Sequence, residues 1–180
     1  MLPLLLTLLL QSGDWPGFLG PRRDGISREQ GLISPWPEKG PRLLWQRELG
    51  TGYGSASVAG GRVLVCDRSG DKARIHCLKA ADGAELWRFE YATDYNDRYG
   101  DNNGPRCCPV IDDGRVFVYG VEGLLHALRL EDGKLLWKKD TAADFGVVPN
   151  FFGVGSTPLV EGDLLLTVVG GSPPNSPDIT

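Results

Sequence analysis

Short hydrophobic runs separated by turn-forming residues occupy residues 55–89. Four of them follow one another: Ser55–Ala59, Arg62–Cys66, Arg74–Lys79 and Glu85–Phe89. Gly60-Gly61 and Asp82-Gly83 lie between them, and such dipeptides supply the positive φ angles that tight hairpins require. The runs are rich in Val, Leu, Ile, Trp and Phe, which favour strands. The pattern predicts four short antiparallel strands.

The same pattern returns further along the chain. Ile75–Arg88 (IHCLKAADGAELWR) aligns without a gap with Leu125–Lys138 (LHALRLEDGKLLWK). Gly61–Cys66 also matches Gly114–Tyr119, and Gly162–Thr167 begins a third copy. Four antiparallel strands that repeat at one spacing are typical of the blades of a β-propeller.

Each unit repeats one turn and one tryptophan. The repeated positions are Asp82, Gly83 and Trp87 in one unit, Asp132, Gly133 and Trp137 in the next, and Trp45 in an earlier partial copy. A large flat ring at this position can pack between neighbouring blades and bury a large apolar area. The aspartates can accept backbone hydrogen bonds within the turn. The residues ending at Trp45 are predicted to form a lone strand.

These motifs resemble those of the PQQ-like β-propeller family. Ala81–Trp87 is similar to its tryptophan-docking repeat, and Trp15–Pro21 with Arg23–Gly25 is similar to the start of exported PQQ-like repeat proteins. Gly104–Pro109 and Asn150–Ser156 resemble the same group. The family includes quinoprotein alcohol dehydrogenases and the outer-membrane β-barrel assembly lipoprotein. The resemblance implies an all-β fold of antiparallel four-stranded blades, and it does not imply a bound quinone.

The chain is expected to comprise three segments. Residues 1–13 are predicted to be a signal peptide, because the apolar run Met1–Leu10 is too short to span a membrane. Residues 14–53 form an N-terminal extension with the lone closing strand, and residues 54–180 hold two full blades and part of a third. Since rings of this family have about seven or eight blades, we expect an incomplete ring. The chain is then a fragment, or copies of it assemble into a ring.

Composition and charge exclude some classes of partner. The 180 residues carry a formal net charge of −4, which argues against a basic surface for nucleic acid. The predicted signal peptide places the protein outside the inner membrane, in the periplasm or cell envelope, without a transmembrane span. The expected partners are other proteins or the missing blades of the ring.

Cys107 and Cys108 are adjacent and are the sharpest chemical feature. The resemblance to methanol dehydrogenases implies a vicinal disulfide that packs against the plane of PQQ. Only these two residues match the site of those enzymes. There are two alternatives. The pair could form a vicinal disulfide without a catalytic role, or it could be two small residues at the start of an inner strand, with one residue facing each side. Cys66 and Cys77 are predicted to be free buried thiols or a pair facing each other across a hairpin.

The loop Tyr91–Arg106 (YATDYNDRYGDNNGPR) is the candidate ligand loop. Its candidate residues are Asp94, Asn96, Asp97, Asp101 and Arg106. Oxygen-rich loops can hold calcium, but Arg98 stands where an EF-hand needs its third ligand, so no metal site is predicted. We expect Arg106 to pair with one of the carboxylates. His76 and His126 occupy equivalent repeat positions, which favours a repeated structural role over a metal site.

Two functions are compatible with these motifs. The first is an exported, non-catalytic propeller that acts as a protein-interaction scaffold, with no catalytic residue and no cofactor. The alternative is the N-terminal part of a quinoprotein dehydrogenase, which would bind PQQ and Ca²⁺. The calcium and catalytic motifs of those enzymes are not recognisable here, which favours the scaffold.

Overall fold

Two four-stranded antiparallel sheets and a hairpin make up the computed structural model, which describes residues 13–32, 34–146 and 152–171. The first sheet contains β1 Ser57–Ala59, β2 Arg62–Ser69, β3 Lys72–Lys79 and β4 Glu85–Ala92. The second contains β5 Val110–Asp112, β6 Arg115–Tyr119, β7 Leu124–Arg129 and β8 Leu135–Asp140. The short helix α1 Thr141–Phe145 follows, and β9 Leu159–Glu161 pairs with β10 Leu164–Leu166. Residues 1–12 of the predicted signal peptide lie outside the described residues.

Within each sheet the strands lie side by side in the order in which they occur in the sequence. The prediction of antiparallel four-stranded blades is confirmed. The strands β2 and β4 run further than the hydrophobic pattern predicts, to Ser69 and Ala92. The extension of β2 is polar, and Asp67 lies opposite Arg74 on β3, where the two side chains form an ion pair.

The two sheets repeat one irregularity. In β3 the register shifts between Cys77 and Leu78, and in β7 it shifts at the equivalent place between Ala127 and Leu128. This β-bulge places Trp87 opposite Cys77 and Trp137 opposite Ala127. The repeat seen in the sequence is therefore a repeat of backbone geometry.

The core lies between the two sheets. The side chains that form it are fully or almost fully buried: Leu64, Cys66, Ile75, Cys77, Trp87, Ile111, Val116, Val118 and Leu128. Consecutive residues are buried along β2, β3, β6 and β7, so these central strands bury both of their faces. Burial of each large side chain contributes roughly 1.5–3 kcal/mol to stability.

The residues around Trp45, predicted as a lone strand, pair with no strand among the described residues. Leu43 and Leu44 are 69% and 67% exposed, whereas the Trp45 ring docks on the first sheet. The helix α1 was not predicted. Asp140 caps it by accepting a hydrogen bond from the Ala143 amide, and Gly146 ends it in the left-handed conformation.

Candidate functional site: the inter-blade loops

Docked tryptophans set the spacing of the blades. The Trp45 Nε1 donates to the Ala80 carbonyl oxygen at 2.8 Å, and the Trp87 Nε1 donates to the Leu130 carbonyl oxygen at 2.9 Å. Trp87 thus extends from the first sheet to the last turn of the second. Trp137 has the same place in β8 and is 41% exposed.

The turns that receive the rings have the same internal bonds. Asp82 accepts from the Ala84 amide and Asp132 from the Lys134 amide, each at 3.1 Å. A short ion pair within each turn, Lys79 with Asp82 and Arg129 with Asp132, closes it. Gly83 and Gly133 have φ of 72° and 73°, and each lies under an indole ring.

Three inter-blade connections meet beside these sheets: residues 50–56 before β1, 93–109 before β5 and 152–158 before β9. The Tyr53 amide donates to the Pro105 carbonyl oxygen at 2.8 Å, which joins the first connection to the second. Gly104 allows this close approach, because a Cβ atom there would lie 2.0 Å from the Thr51 carbonyl oxygen.

Arg106 links all three connections. Its Nε donates to the Phe152 carbonyl oxygen at 2.5 Å, and its Nη2 donates to Asp97 Oδ2 at 3.0 Å. The guanidinium carbon lies 5.3 Å from the Tyr53 ring centroid and 5.7 Å from that of Tyr95. The side chain is 11% exposed, so this ion pair is screened less than a surface pair.

Asp97 and Arg106 are the candidate loop residues that the structure brings together. Asp97 also accepts from the Tyr99 amide, and this bond together with Arg106 holds the pKa of its carboxyl below the ordinary value, against the effect of burial. Asp94, Asn96 and Asp101 lie elsewhere in the same loop, and both aspartates are exposed. The arrangement gives Asp97 and Arg106 a loop-ordering role.

Arg68 also holds this loop in place, and the sequence pattern did not reveal it. Its guanidinium donates to the carbonyl oxygens of Thr93, Tyr95 and Asn103, at 3.3, 2.5 and 3.1 Å. It lies at the end of β2, 25 residues before Thr93, and one arginine beside a glycine turn carries no local signal of such a contact.

The four cysteines are free thiols and are buried. Cys107 Sγ donates to the Tyr119 carbonyl oxygen at 2.5 Å, and Cys108 Sγ lies 3.0 Å from Ser57 Oγ. Burial raises the pKa of Cys107 to about 12. Both residues precede β5 and do not begin it, because Pro109 intervenes. Cys66 and Cys77 do not face each other across the hairpin: Cys66 lies opposite Ile75 and Cys77 opposite Leu64.

The cysteine pair does not fit a quinone as placed. A flat cofactor needs a surface on which its ring can stack, but Cys107 and Cys108 are 1% and 2% exposed. Both sulfur atoms are engaged with neighbouring strands and connections. No group of three or more His, Cys, Asp or Glu side chains among the described residues could hold a metal ion. In the same residues, no helix is long and apolar enough to cross a membrane.

The two equivalent histidines have different surroundings. His76 lies between two carboxylates, with Nε2 3.0 Å from Asp67 and Nδ1 3.1 Å from Glu85. Burial works against ionisation of Asp67, but hydrogen bonds from His76 and Arg74 hold its pKa well below the ordinary value. His126 has neither carboxylate, because Gly120 and Leu135 occupy the equivalent positions. The two sheets therefore do not share the repeated role that was expected of these residues.

His126 packs among aromatic rings instead. Its ring centroid lies 4.4 Å from that of Tyr91 and 5.6 Å from that of Phe89. Burial, with a smaller contribution from the positive charge of Lys138, lowers the pKa of His126 to about 4. The residue is therefore neutral near pH 7. It serves as packing between the sheets, with Nδ1 lacking a hydrogen-bond partner among the described residues.

A family model described as outer membrane protein assembly factor BamB matches residues 36–171, which is most of the chain. The chain belongs to this PQQ-repeat family. Among curated members of the wider group, BamB from Shewanella oneidensis is 30% identical over 126 residues, covering 60% of this chain and 31% of the relative. Polyvinylalcohol dehydrogenase from a Pseudomonas species is 29% identical over 124 residues, covering 59% and 19%.

A solved structure supports the PQQ-repeat fold. Quinohemoprotein alcohol dehydrogenase from Comamonas testosteroni superposes with a TM-score of 0.65 at 20% identity, over 89% of this chain and 24% of that one. At this identity the likeness shows the β-propeller fold alone. The chain spans less than a third of the length of the curated relatives described above.

Proposed function

We propose that this PQQ-repeat chain is part of an exported, non-catalytic propeller that binds other proteins in the periplasm or cell envelope. The family relationship to the assembly factor BamB supports a protein-binding role. The observation that carries the proposal is the composition of the inter-blade loops. Tyr53, Tyr99 and Phe152 are 62%, 69% and 57% exposed beside the ordered Arg106.

Exposed aromatic side chains around a partly buried arginine have the composition of a protein-binding hot spot. The rings need little additional ordering on binding. Tyr53 already stacks on Arg106, and Tyr99 lies 6.3 Å from Phe152 between ring centroids. Asp97 and Arg106 are bonded to each other, which suits a binding surface better than acid–base catalysis.

Comparative capture from an envelope extract tests this role. Wild type and the Tyr53→Ala/Tyr99→Ala double variant are used as baits, and each protein lost by the variant is purified and titrated against both baits. We expect binding to the variant to be weaker by about tenfold or more, the effect of losing hot-spot side chains. Trp36→Ala is the matched control, because Trp36 is 67% exposed and belongs to none of the three connections. Equal affinities for wild type and the double variant would refute the role of these loops.

The alternative function, the N-terminal part of a PQQ- and Ca²⁺-dependent dehydrogenase, is favoured by the polyvinylalcohol dehydrogenase relative. A titration with PQQ and Ca²⁺ separates the two functions. Binding is measured by quenching of tryptophan fluorescence and by equilibrium dialysis. The scaffold predicts no saturable binding. Stoichiometric binding that is lost in Cys107→Ala/Cys108→Ala would establish the alternative.

A further inference from the structure

The N-terminal residues pair with the first strands of two successive sheets. The Trp15 amide donates to the Val58 carbonyl oxygen at 2.7 Å, and the Val58 amide donates back to Trp15 at 2.9 Å. One residue later, the Pro16 carbonyl oxygen accepts from the Ile111 amide at 2.7 Å. Val58 is in β1 and Ile111 is in β5, so consecutive residues join two blades.

The same segment continues to the third hairpin. Arg23 Nη1 lies 2.9 Å from the Glu161 carboxylate, and Nη2 donates to the Val160 carbonyl oxygen. Both acceptors belong to β9. Because β1 and β5 are first in their sheets and each pairs with one other strand, residues 14–23 contact edges that the sheets leave unpaired.

The backbone of this segment is shaped to make these contacts. Leu19 and Arg23 have φ of 66° and 59°, which non-glycine residues seldom adopt. The Gly20 amide donates to the Gly17 carbonyl oxygen at 3.0 Å, and the Trp15 ring packs over Gly20. The two bends turn the chain from β5 towards β9. Conformations of this kind persist when surrounding contacts hold them.

We propose that residues 14–23 form an inter-blade strap, and that Arg23 is the contact through which the strap orders the β9–β10 hairpin. A two-stranded hairpin is marginally stable in water on its own. A half-open cavity of about 290 Å³, lined by Phe18, Val110 and Leu159 among others, lies between the strap, β5 and β9. Because this cavity lies between the strap and β9, we expect loss of the Arg23 contacts to shift the hairpin from the ordered towards the frayed state.

The strap also limits where a partner can bind. Unpaired strand edges are the usual places for an added strand from another chain. The strap already occupies Val58 of β1 and Ile111 of β5. The strap orders the fold whether or not the inter-blade loops bind a protein.

Residue-resolved amide hydrogen exchange on the full chain tests the strap. In Arg23→Ala we expect the amides of β9 and β10 to exchange about three- to tenfold faster, the size of effect that loss of an exposed ion pair and one hydrogen bond produces. The β5–β8 amides should be unchanged. Arg22→Ala is the matched control, because Arg22 contacts Asp24 and the Ile26 carbonyl oxygen within the N-terminal segment.

Two results would overturn the proposal. The first is equal exchange of the β9 and β10 amides in Arg23→Ala and Arg22→Ala. The second is exchange of the Val58 and Ile111 amides in wild type as fast as that of an unstructured peptide, since both are donors to the strap. Glu161→Gln gives an additional test: it removes the ion pair, keeps the Val160 bond, and should accelerate exchange less than Arg23→Ala.

Discussion

The indole ring of Trp87 lies directly on the backbone of Gly133 in the neighbouring sheet. A Cβ atom built on Gly133 would lie 2.5 Å from Cε3 of that ring. Trp45 and Gly83 repeat the relationship at 2.7 Å. The ring and the glycine therefore fix the distance between successive blades together, and neither can change size without moving a sheet.

Replacing Gly133 by alanine should destabilise the protein by about 2–4 kcal/mol, from the strained φ and from the clash with Trp87. Gly114→Ala is the control, because Gly114 has a φ of 70° but no atom within 4 Å of the added methyl group. It should cost about 1–2 kcal/mol, the penalty of the left-handed conformation for a residue with a Cβ atom. Urea denaturation measures both values, and equal losses would show that the ring contact contributes nothing.

Truncation of Trp87 and Trp137 should have unequal effects, although the sequence places them equivalently. Trp87 is 9% exposed and bonded to the next sheet, so Trp87→Ala should cost about 3–5 kcal/mol. Trp137 is 41% exposed, so Trp137→Ala should cost about 1–2 kcal/mol. Urea denaturation measures the loss of unfolding free energy in each variant. Equal losses would mean that Trp137 is docked as Trp87 is.

The stability of the protein should fall as the pH decreases from about 6.5 to about 4. The pKa of His126 is about 4 in the folded chain, against an ordinary value of 6.5. The unfolded chain therefore takes up a proton in this range that the folded chain does not, at a cost of at most about 3 kcal/mol. His126→Gln should reduce the slope of unfolding free energy against pH. An unchanged slope would mean that His126 has the same pKa in the folded and unfolded states.

All four thiols should be inaccessible in the folded protein and reactive in the unfolded one. Burial raises the pKa of Cys107 to about 12 and that of Cys77 to about 11, so little thiolate exists at pH ~8. We expect reaction with a thiol reagent at least about tenfold slower than for free cysteine. After unfolding without reductant, all four cysteines should react. Two reactive thiols would indicate the vicinal disulfide.

Arg106→Lys should loosen the inter-blade loops while leaving the sheets folded. A lysine cannot bond to Phe152 and Asp97 together and stack between two tyrosines. Limited proteolysis within residues 93–106 should become several-fold faster, with a stability loss of about 1–2 kcal/mol. Arg115→Lys is the control, since Arg115 is 44% exposed on β6. Equal protease resistance of both variants would exclude an ordering role for Arg106.

The fold class was predictable because its signals are local and repeated. Hairpin turns depend on a few residues such as Gly60-Gly61, and the strands are favoured by the β-branched and aromatic residues within each run. The repeat supplied independent copies of the same signal. Contacts between residues far apart in sequence left no such trace: Arg68 binds the carbonyl oxygen of Asn103, and Arg23 reaches Glu161.

The sequence by itself determined the order of the strands in the two sheets, the repeating Asp-Gly turn and the position of the tryptophans. Only the tertiary structure decided what the equivalent residues do. His76 and His126 match in sequence, but His76 lies between Asp67 and Glu85 whereas His126 stacks on Tyr91. The physical reason is that backbone geometry follows local sequence, while the charge and pKa of a side chain depend on whatever the fold packs around it.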